Sequence, residues 1–463
     1  MLPLTTGQIR EIVQGALLHG SPQYTVTGVA IDSRKVKPGD VFVAFVGEKV
    51  DGHAHVDDAF RRGASAAIVT KNVETNSADG AVIHVQDALY AMQMLAAHER
   101  SSFAGPVIGV TGSNGKTTTK DMLAAVFGVK GPCLATVGNH NNELGLPLTI
   151  LERKPEHQSM VLEMGMRGMG QIATLCEIGK PTAGIITNIG QSHIEILGSQ
   201  ENIAKAKAEL LEAVPGDGIS ALNRDDAWLV KMADRASSRV LWYSLESEAD
   251  AYATDVQPRK DGISFTAHVL GQSHTVALPM HGRHNIANAL GALVLGAAHG
   301  IPLPDMADAL QHMKTTGGRL QVKQGLRGWT VIDDSYNASP ISMKASLSAM
   351  KDIAAGNPTV AVLGDMYELG DYAESGHREV GAYAAQLGMD LLIAIGPMGA
   401  WIAEAAREAG CRDVVHFADK QQALEQISEL IPADATVLVK ASRGMQLEDV
   451  VAVLTPDNSG ADS

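Results

Sequence analysis

Residues 106–127 read PVIGVTGSNGKTTTKDMLAAVF, and this stretch decides the fold. PVIGVT is an apolar run short enough for a buried strand. A turn containing Gly112 and Gly115 follows, and TTTKDMLAAVF then reads as a helix. A strand, a glycine-rich turn and a helix N-terminus together make a cradle whose backbone N–H groups face an anion. Lys116 supplies a point positive charge for terminal phosphates, and the Thr117 hydroxyl is placed to ligate magnesium. With Ser113, Asn114 and Thr118, the candidate nucleotide-binding segment is residues 112–118. A full phosphate loop carries a glycine five residues before the second one. Val110 stands there, so this is the shorter GxxGKT form, and a glycine-rich turn with a solvated lysine stays open as the plainer reading.

Working outward, strands and helices alternate on both sides of the loop. SMVLEM and AGIITN read as strands, residues 199–214 as a helix, residues 250–279 as strand-rich, and HNIANALGALVLGAAHG as a closing helix. Such alternation implies a mostly parallel sheet covered by helices. Before it, VTGVAIDSRKV, GDVFVAF and ASAAIVT are strand-like, with a helical pattern over residues 56–62 and a polar loop, KNVETNSADG. After it, WTVIDD, PTVAVLGD, DLLIAIG and ATVLVKAS are strands separated by helices such as HREVGAYAAQLG. The expected fold is therefore α/β in three domains: a small N-terminal unit (1–102), a central phosphate-loop unit with a parallel sheet (103–314) and a Rossmann-like, doubly wound C-terminal unit (315–455). A disordered polar tail (456–463) is expected to follow.

Composition bounds the function. The 463 residues carry a net charge of -15 with no long basic block, which argues against a nucleic-acid partner held through phosphates. The N-terminus has no basic segment followed by an apolar run, and no apolar stretch approaches the roughly 20 residues that span a bilayer. Cys133, Cys176 and Cys411 form no pair in sequence and read as ordinary buried thiols in a reducing compartment. A cytoplasmic enzyme acting on small molecules, without membrane insertion, is the expectation.

Ligands of open α/β sheets gather at the C-terminal ends of strands. Glu163 ends SMVLEM, and His193 follows AGIITN by a few residues, so both belong on the edge that carries the loop. Singly, each is as readily a strand-end acid and a loop histidine. In the helix over 199–214, Ile203, Leu210, Leu211 and Val214 share one face, with Lys207 in its middle and Lys205 opposite. A buried lysine favours the neutral amine, the form that takes up CO2, and a carbamate would offer anionic oxygens to a metal. A lysine reaching out to the rim is the other reading.

These residues resemble the Mur ligase family, and the resemblance covers nearly the whole chain. It implies an ATP-dependent amide ligase with two magnesium ions, one on Thr117 and Glu163, the other on His193 and carbamylated Lys207. HGRHNIANALGA resembles the family's adenine-side helix, which implies base contacts from Asn285 and Asn288. Arg319 in GGRLQV resembles the arginine that reaches the phosphates, and Asp334 the acid on the ribose. IDSRKVKPGDVFVAFVGEKVDGHAHVDDAFRRGA resembles a UDP-muramoyl-binding domain, with Ser33, Arg34, Gly47 and His53 as candidates. VLEMGMRGMGQI, VIDDSYNASP, LGDMYELGDYAESGHREVG and NHNNELGLPLTIL resemble the member that adds D-alanyl-D-alanine to a UDP-muramoyl tripeptide, with Asn141, Asn142, Asn337 and Asp365 as substrate-side candidates. Lys440, Ser442 and Arg443 are further acceptor-side candidates. The member that adds the preceding, third amino acid is the alternative, but its DNPR-like motif is absent. Two departures from the family pattern stand out: Ser339 where Asn is usual before Pro340, and Ala441 where KGSR is usual. A monomer is expected.

Overall fold

The computed structural model describes residues 1–75, 80–314 and 317–456. The expected start of the third unit at Thr315–Thr316, part of the polar loop over 71–80 and the tail from 457 onward lie outside the described residues. Three large sheets organise the described residues, beside a two-stranded antiparallel pairing of Leu4–Thr5 with Thr25–Val26.

The N-terminal sheet has five strands in the order Ala16–His19, Ala81–His84, Ala66–Val69, Asp40–Val43, Gly28–Ala30, parallel except for the first. A side helix, Ala88–Ser101, is started by Asp87, whose carboxylate accepts the Tyr90 N–H. That helix is the seam to the next unit. The Arg100 guanidinium donates to the carbonyls of Gly179 (2.8 Å) and Lys180 (2.7 Å), closing the end of helix Gln171–Gly179. Glu99 pairs with Arg153 at 2.6 Å. Apolar side chains from both units, Met92, Leu95, Leu146 and Ile172 among them, pack into one continuous core.

The central sheet has nine strands. Seven are mutually parallel in the order Cys133–Ala135, Ser159–Glu163, Val107–Thr111, Ala183–Ile186, Ile219–Asn223, Arg239–Ser244, Ala251–Arg259, and the antiparallel strands Gly262–Val269 and Gln272–Leu278 complete it. The chain leaves Val107–Thr111 in one direction and later returns on its other side. The crevice beyond this strand is therefore the topological switch point, where α/β sheets bind ligands. The three central strands, Ser159–Glu163, Val107–Thr111 and Ala183–Ile186, are buried on both faces, so they read as largely apolar runs. Cys133–Ala135 and Ile219–Asn223 are short or carry polar residues, and the sequence reading did not single out these two or Arg239–Ser244, despite its Val240–Tyr243 run.

The third sheet runs Gln321–Gln324, Thr330–Asp333, Thr436–Lys440, Thr359–Gly364, Leu391–Ile395, Asp413–Phe417, parallel apart from the first strand. The last strand was not expected, because its Val-Val-His core is half-exposed at the sheet edge. Helix Pro340–Ala354 starts with Ser339 as its cap and Pro340 in its first turn, a position that needs no N–H. Cys176 and Cys411 are buried and Cys133 partly so, and all three are free thiols. Among the described residues no helix is long and apolar enough to cross a membrane.

Candidate active site

A cavity of about 1050 Å³ opens at the switch point, between the central and third sheets. Its floor is the loop after Val107–Thr111. Gly112 takes φ +148°, and a Cβ there would run into the Thr187 hydroxyl. Gly115 takes φ +79° and starts helix Lys116–Gly128, with Asn288 within 2.9 Å of where a Cβ would sit. These two positions need glycine for conformation and for close approach. The loop is clamped from the strand next door: Ser113 N–H donates to the Asn188 carbonyl (2.9 Å), and Asn114 N–H to the Asn188 side chain (3.0 Å). Thr187 and Asn188 both donate to the Asn114 carbonyl.

Lys116 curls over the loop and donates to the Gly112 carbonyl at 2.7 Å. Burial, with Arg319 nearby, pushes its pKa below the usual lysine range, against the pull of Glu163. Glu163, 2% exposed, accepts from the Thr117 hydroxyl and from the Asn141 amide, both at 2.8 Å. Adjacent hard oxygens beside a phosphate loop fit magnesium, which takes one or two protein groups and keeps its waters.

Lys207 is 2% exposed, so it does not reach out to the rim. It sits on the apolar face of helix Gln200–Ala213 with Ile203, Leu210 and Leu211, and its amine donates to the Gly112 carbonyl at 3.0 Å. Burial, then Lys116, pushes its pKa well below the lysine range. As an amine it offers no anionic donor. With His193 it would supply two nitrogens, a poor set for magnesium, so the pair fits a second ion only if Lys207 carries a carbamate. His193 lines the cavity in a left-handed conformation (φ 65°). Its Nδ1 lies 2.6 Å from Glu368 of the third domain, near enough for an ion pair though off the line of a hydrogen bond. Burial lowers its pKa, and Glu368 opposes the shift.

On the far side, Asn285 and Asn288 line the cavity from helix Arg283–Ala298, buried, with their amides tied to the His281 carbonyl and to each other. The third domain faces them with Arg319, Asp334, Tyr336, Asn337, Ser339 and Lys440. Ser339 donates to the Asn114 side chain at 2.9 Å, a direct bridge to the phosphate loop. Arg319 lies over the Tyr336 ring, and its Nε has no hydrogen-bond partner among the described residues. Asp334 is heavily engaged: Lys440 (2.6 Å) and Ser346 (2.5 Å) donate to one oxygen, and the Leu320 N–H (3.1 Å) to the other. A ribose hydroxyl would have to share these oxygens.

Three domain models match the sequence: a Mur ligase family catalytic domain over residues 25–100, a Mur ligase middle domain over 110–296 and a Mur ligase glutamate ligase domain over 318–443. The UDP-N-acetylmuramoyl-tripeptide–D-alanyl-D-alanine ligase of Bacillus subtilis is 39% identical, with 97% of this chain and 98% of that protein covered. The chain belongs to the Mur ligase family. The Escherichia coli ligase of the same name is 35% identical over 98% of this chain and 99% of its own. Among solved structures, MurF from Acinetobacter baumannii superposes with a TM-score of 0.88 at 32% identity, covering 97% of this chain and 98% of that one. MurF from Thermotoga maritima, solved with ADP, gives 0.80 at 29% identity, covering 92% and 97%.

Other candidates of this Mur ligase fall outside the cavity. Asn141 and Asn142 line it, but Ser33, Arg34, Gly47 and His53 do not. Arg34 is exposed and folds onto Asp32 with two hydrogen bonds (2.9 and 2.8 Å). The buried His53 accepts the Thr70 N–H on Nε2 and faces Asp51 through Nδ1, which ties down its own loop. Asp365 accepts the Gly399 N–H at 2.8 Å and starts a helix of the third domain, and Ser442 and Arg443 bond within that domain. Sequence reading missed Thr187, Asn188 and Glu368. The first two follow a strand recognised as such, so their place at its C-terminal end was the available signal. Glu368 lies within the quoted motif LGDMYELGDYAESGHREVG, but its pairing with His193 could not be read from it, because that partner lies in another domain.

Proposed function

We propose that this Mur ligase joins D-alanyl-D-alanine to a UDP-N-acetylmuramoyl tripeptide, turning ATP into ADP and phosphate and forming the pentapeptide precursor of peptidoglycan. The observation that carries this reading is a phosphate loop facing an arginine from another domain across one cavity, in a chain whose near-full-length relatives bear that ligase's name.

The tripeptide carboxylate attacks the γ-phosphorus of ATP; the bond to the β,γ-bridging oxygen breaks, leaving an acyl phosphate and ADP. The dipeptide amine then attacks the activated carbonyl, loses a proton, and phosphate departs. Two anions must meet in the first step, so positive charge has to be fixed in place beforehand. The loop N–H groups and Lys116 hold the phosphates from below, while Arg319 faces the transferring group from above. Asn285 and Asn288 hold the base, Asn141 and Asn142 orient the carboxylate substrate, and Asn337 lies on the amine side. An acyl phosphate hydrolyses readily, and packing of the third domain over the crevice excludes water.

Magnesium, held by Thr117 and Glu163 and by His193 with carbamylated Lys207, would neutralise charge on the phosphoryl oxygens. The carbamate has its own readout: ¹³C-labelled bicarbonate is expected to give a carbamate NMR signal that vanishes in Lys207→Arg. The N-terminal domain, with Ser33, Arg34, Gly47 and His53, is assigned to the UDP-muramoyl group. The enzyme acts as a monomer in the cytoplasm, where ATP and UDP-linked precursors meet.

The test is phosphate release with ATP, magnesium and UDP-muramoyl tripeptide, with and without D-alanyl-D-alanine, followed by mass analysis. Release that needs both, with a product heavier by the dipeptide, is the expected result. Release that instead needs a single amino acid and the UDP-muramoyl dipeptide would assign the chain to the preceding step.

A further inference from the structure

Arg319 is half-buried and meets the cavity without an ion-pair partner among the described residues. Its Nε is buried and has no hydrogen-bond partner among the described residues. What it does have is an aromatic face: its Cζ lies 4.3 Å from the centroid of the Tyr336 ring. A guanidinium over a ring is held by the ring quadrupole and keeps its N–H donors free in the plane. A carboxylate would hold the arginine more strongly but would occupy those same donors. Arg443 also lies near this ring, at 5.8 Å, but is neutralised by Glu448 at 2.7 Å.

The backbone repeats the arrangement. Tyr336 N–H donates to the Gly318 carbonyl (3.3 Å), and Leu320 N–H donates to Asp334 (3.1 Å). Gly318 (φ 72°) and Leu320 (φ 50°) both take the left-handed conformation, so Arg319 sits on a sharply bent segment pinned at each side to residues 334–336. Lys440 and Ser346 in turn hold Asp334.

We propose that Tyr336 is a positioning residue: its ring is the platform that aims Arg319 at the transferring phosphoryl group, with Asp334 pinning the backbone beside it. This rests on the role given to Arg319 in the proposed function. Tyr336→Phe keeps the ring, and Tyr336→Leu keeps bulk without the π face.

The experiment measures kcat and the KM for ATP by phosphate release in the full-length enzyme, with melting temperatures as a check on folding. Tyr336→Phe is expected within about twofold of wild type, while Tyr336→Leu lowers kcat about tenfold with little change in ATP KM. In an Arg319→Ala background, Tyr336→Leu is expected to cost less than about twofold more, because the group it acts through is gone. Equal losses in both backgrounds would overturn the platform, as would a Phe variant as poor as the Leu variant. An Arg319→Ala enzyme with unchanged kcat would overturn the role of Arg319 itself, a separate result.

Discussion

The cavity has two sides built on different plans. The central side stands on one sheet: Lys116, Thr117 and the Thr187–Asn188 clamp follow neighbouring parallel strands and Glu163 ends another, with Thr117 bonded to Glu163 and the clamp to Asn114. The third-domain side arrives on loops from a separate sheet and meets the first through few polar contacts, chiefly Ser339 to Asn114 and Glu368 to His193. One side is fixed by the fold of a single unit. The other is delivered by how two units sit together. A ligase that makes a water-sensitive intermediate gains from this division, since the side that binds nucleotide can stay rigid while the other closes over it.

The largest effects are expected on the rigid side. Lys116→Ala and Glu163→Ala should each lower kcat by about a thousandfold or more while leaving the circular dichroism spectrum unchanged. A small loss would break the comparison, since it would mean that the rigid side only supports the fold. Lys207→Met sharpens it. Before carbamylation the buried Lys207 amine has no carboxylate partner and is costly, and methionine fills the same apolar face. The variant is expected to melt no lower than wild type, yet to lose activity by about a hundredfold or more. Reduced melting with full activity would make Lys207 a structural residue.

Smaller effects belong to the delivered side. Glu368→Ala removes the contact with His193 and with Arg167 (3.7 Å) and should lower kcat/KM by about tenfold without shifting the melting temperature. Ser339→Ala removes a helix cap and the bridge to Asn114, for about 1 kcal/mol of stability and a modest change in kcat. If Ser339→Ala proved more damaging to catalysis than Glu368→Ala, the ranking of the two bridges would reverse.

The same division explains what could be read from the sequence. The rigid side was legible because each of its residues sits at a fixed offset from a local pattern: Lys116 at a strand–turn–helix junction, Glu163 at the end of an apolar strand, Lys207 in the middle of an apolar helix face. Arg319, Asp334 and Asn337 line the cavity, but only family resemblance pointed to them. Asp365 shows the limit of that route. It lies within the motif that the resemblance singled out but does not line this cavity, and one of its oxygens accepts the Gly399 N–H. Glu368 and Tyr336 lie inside motifs that the resemblance singled out, but their roles were illegible, because each depends on a contact with another segment that no periodicity encodes.

The most direct test is a quenched-flow measurement of tripeptide phosphorylation in wild type and Arg319→Ala under single-turnover conditions. If the delivered side takes part in the chemistry, the phosphorylation step slows about a hundredfold while the affinity for ATP changes little. An unchanged phosphorylation rate with weakened ATP binding would contradict the account, and would leave the third domain as a nucleotide clamp alone.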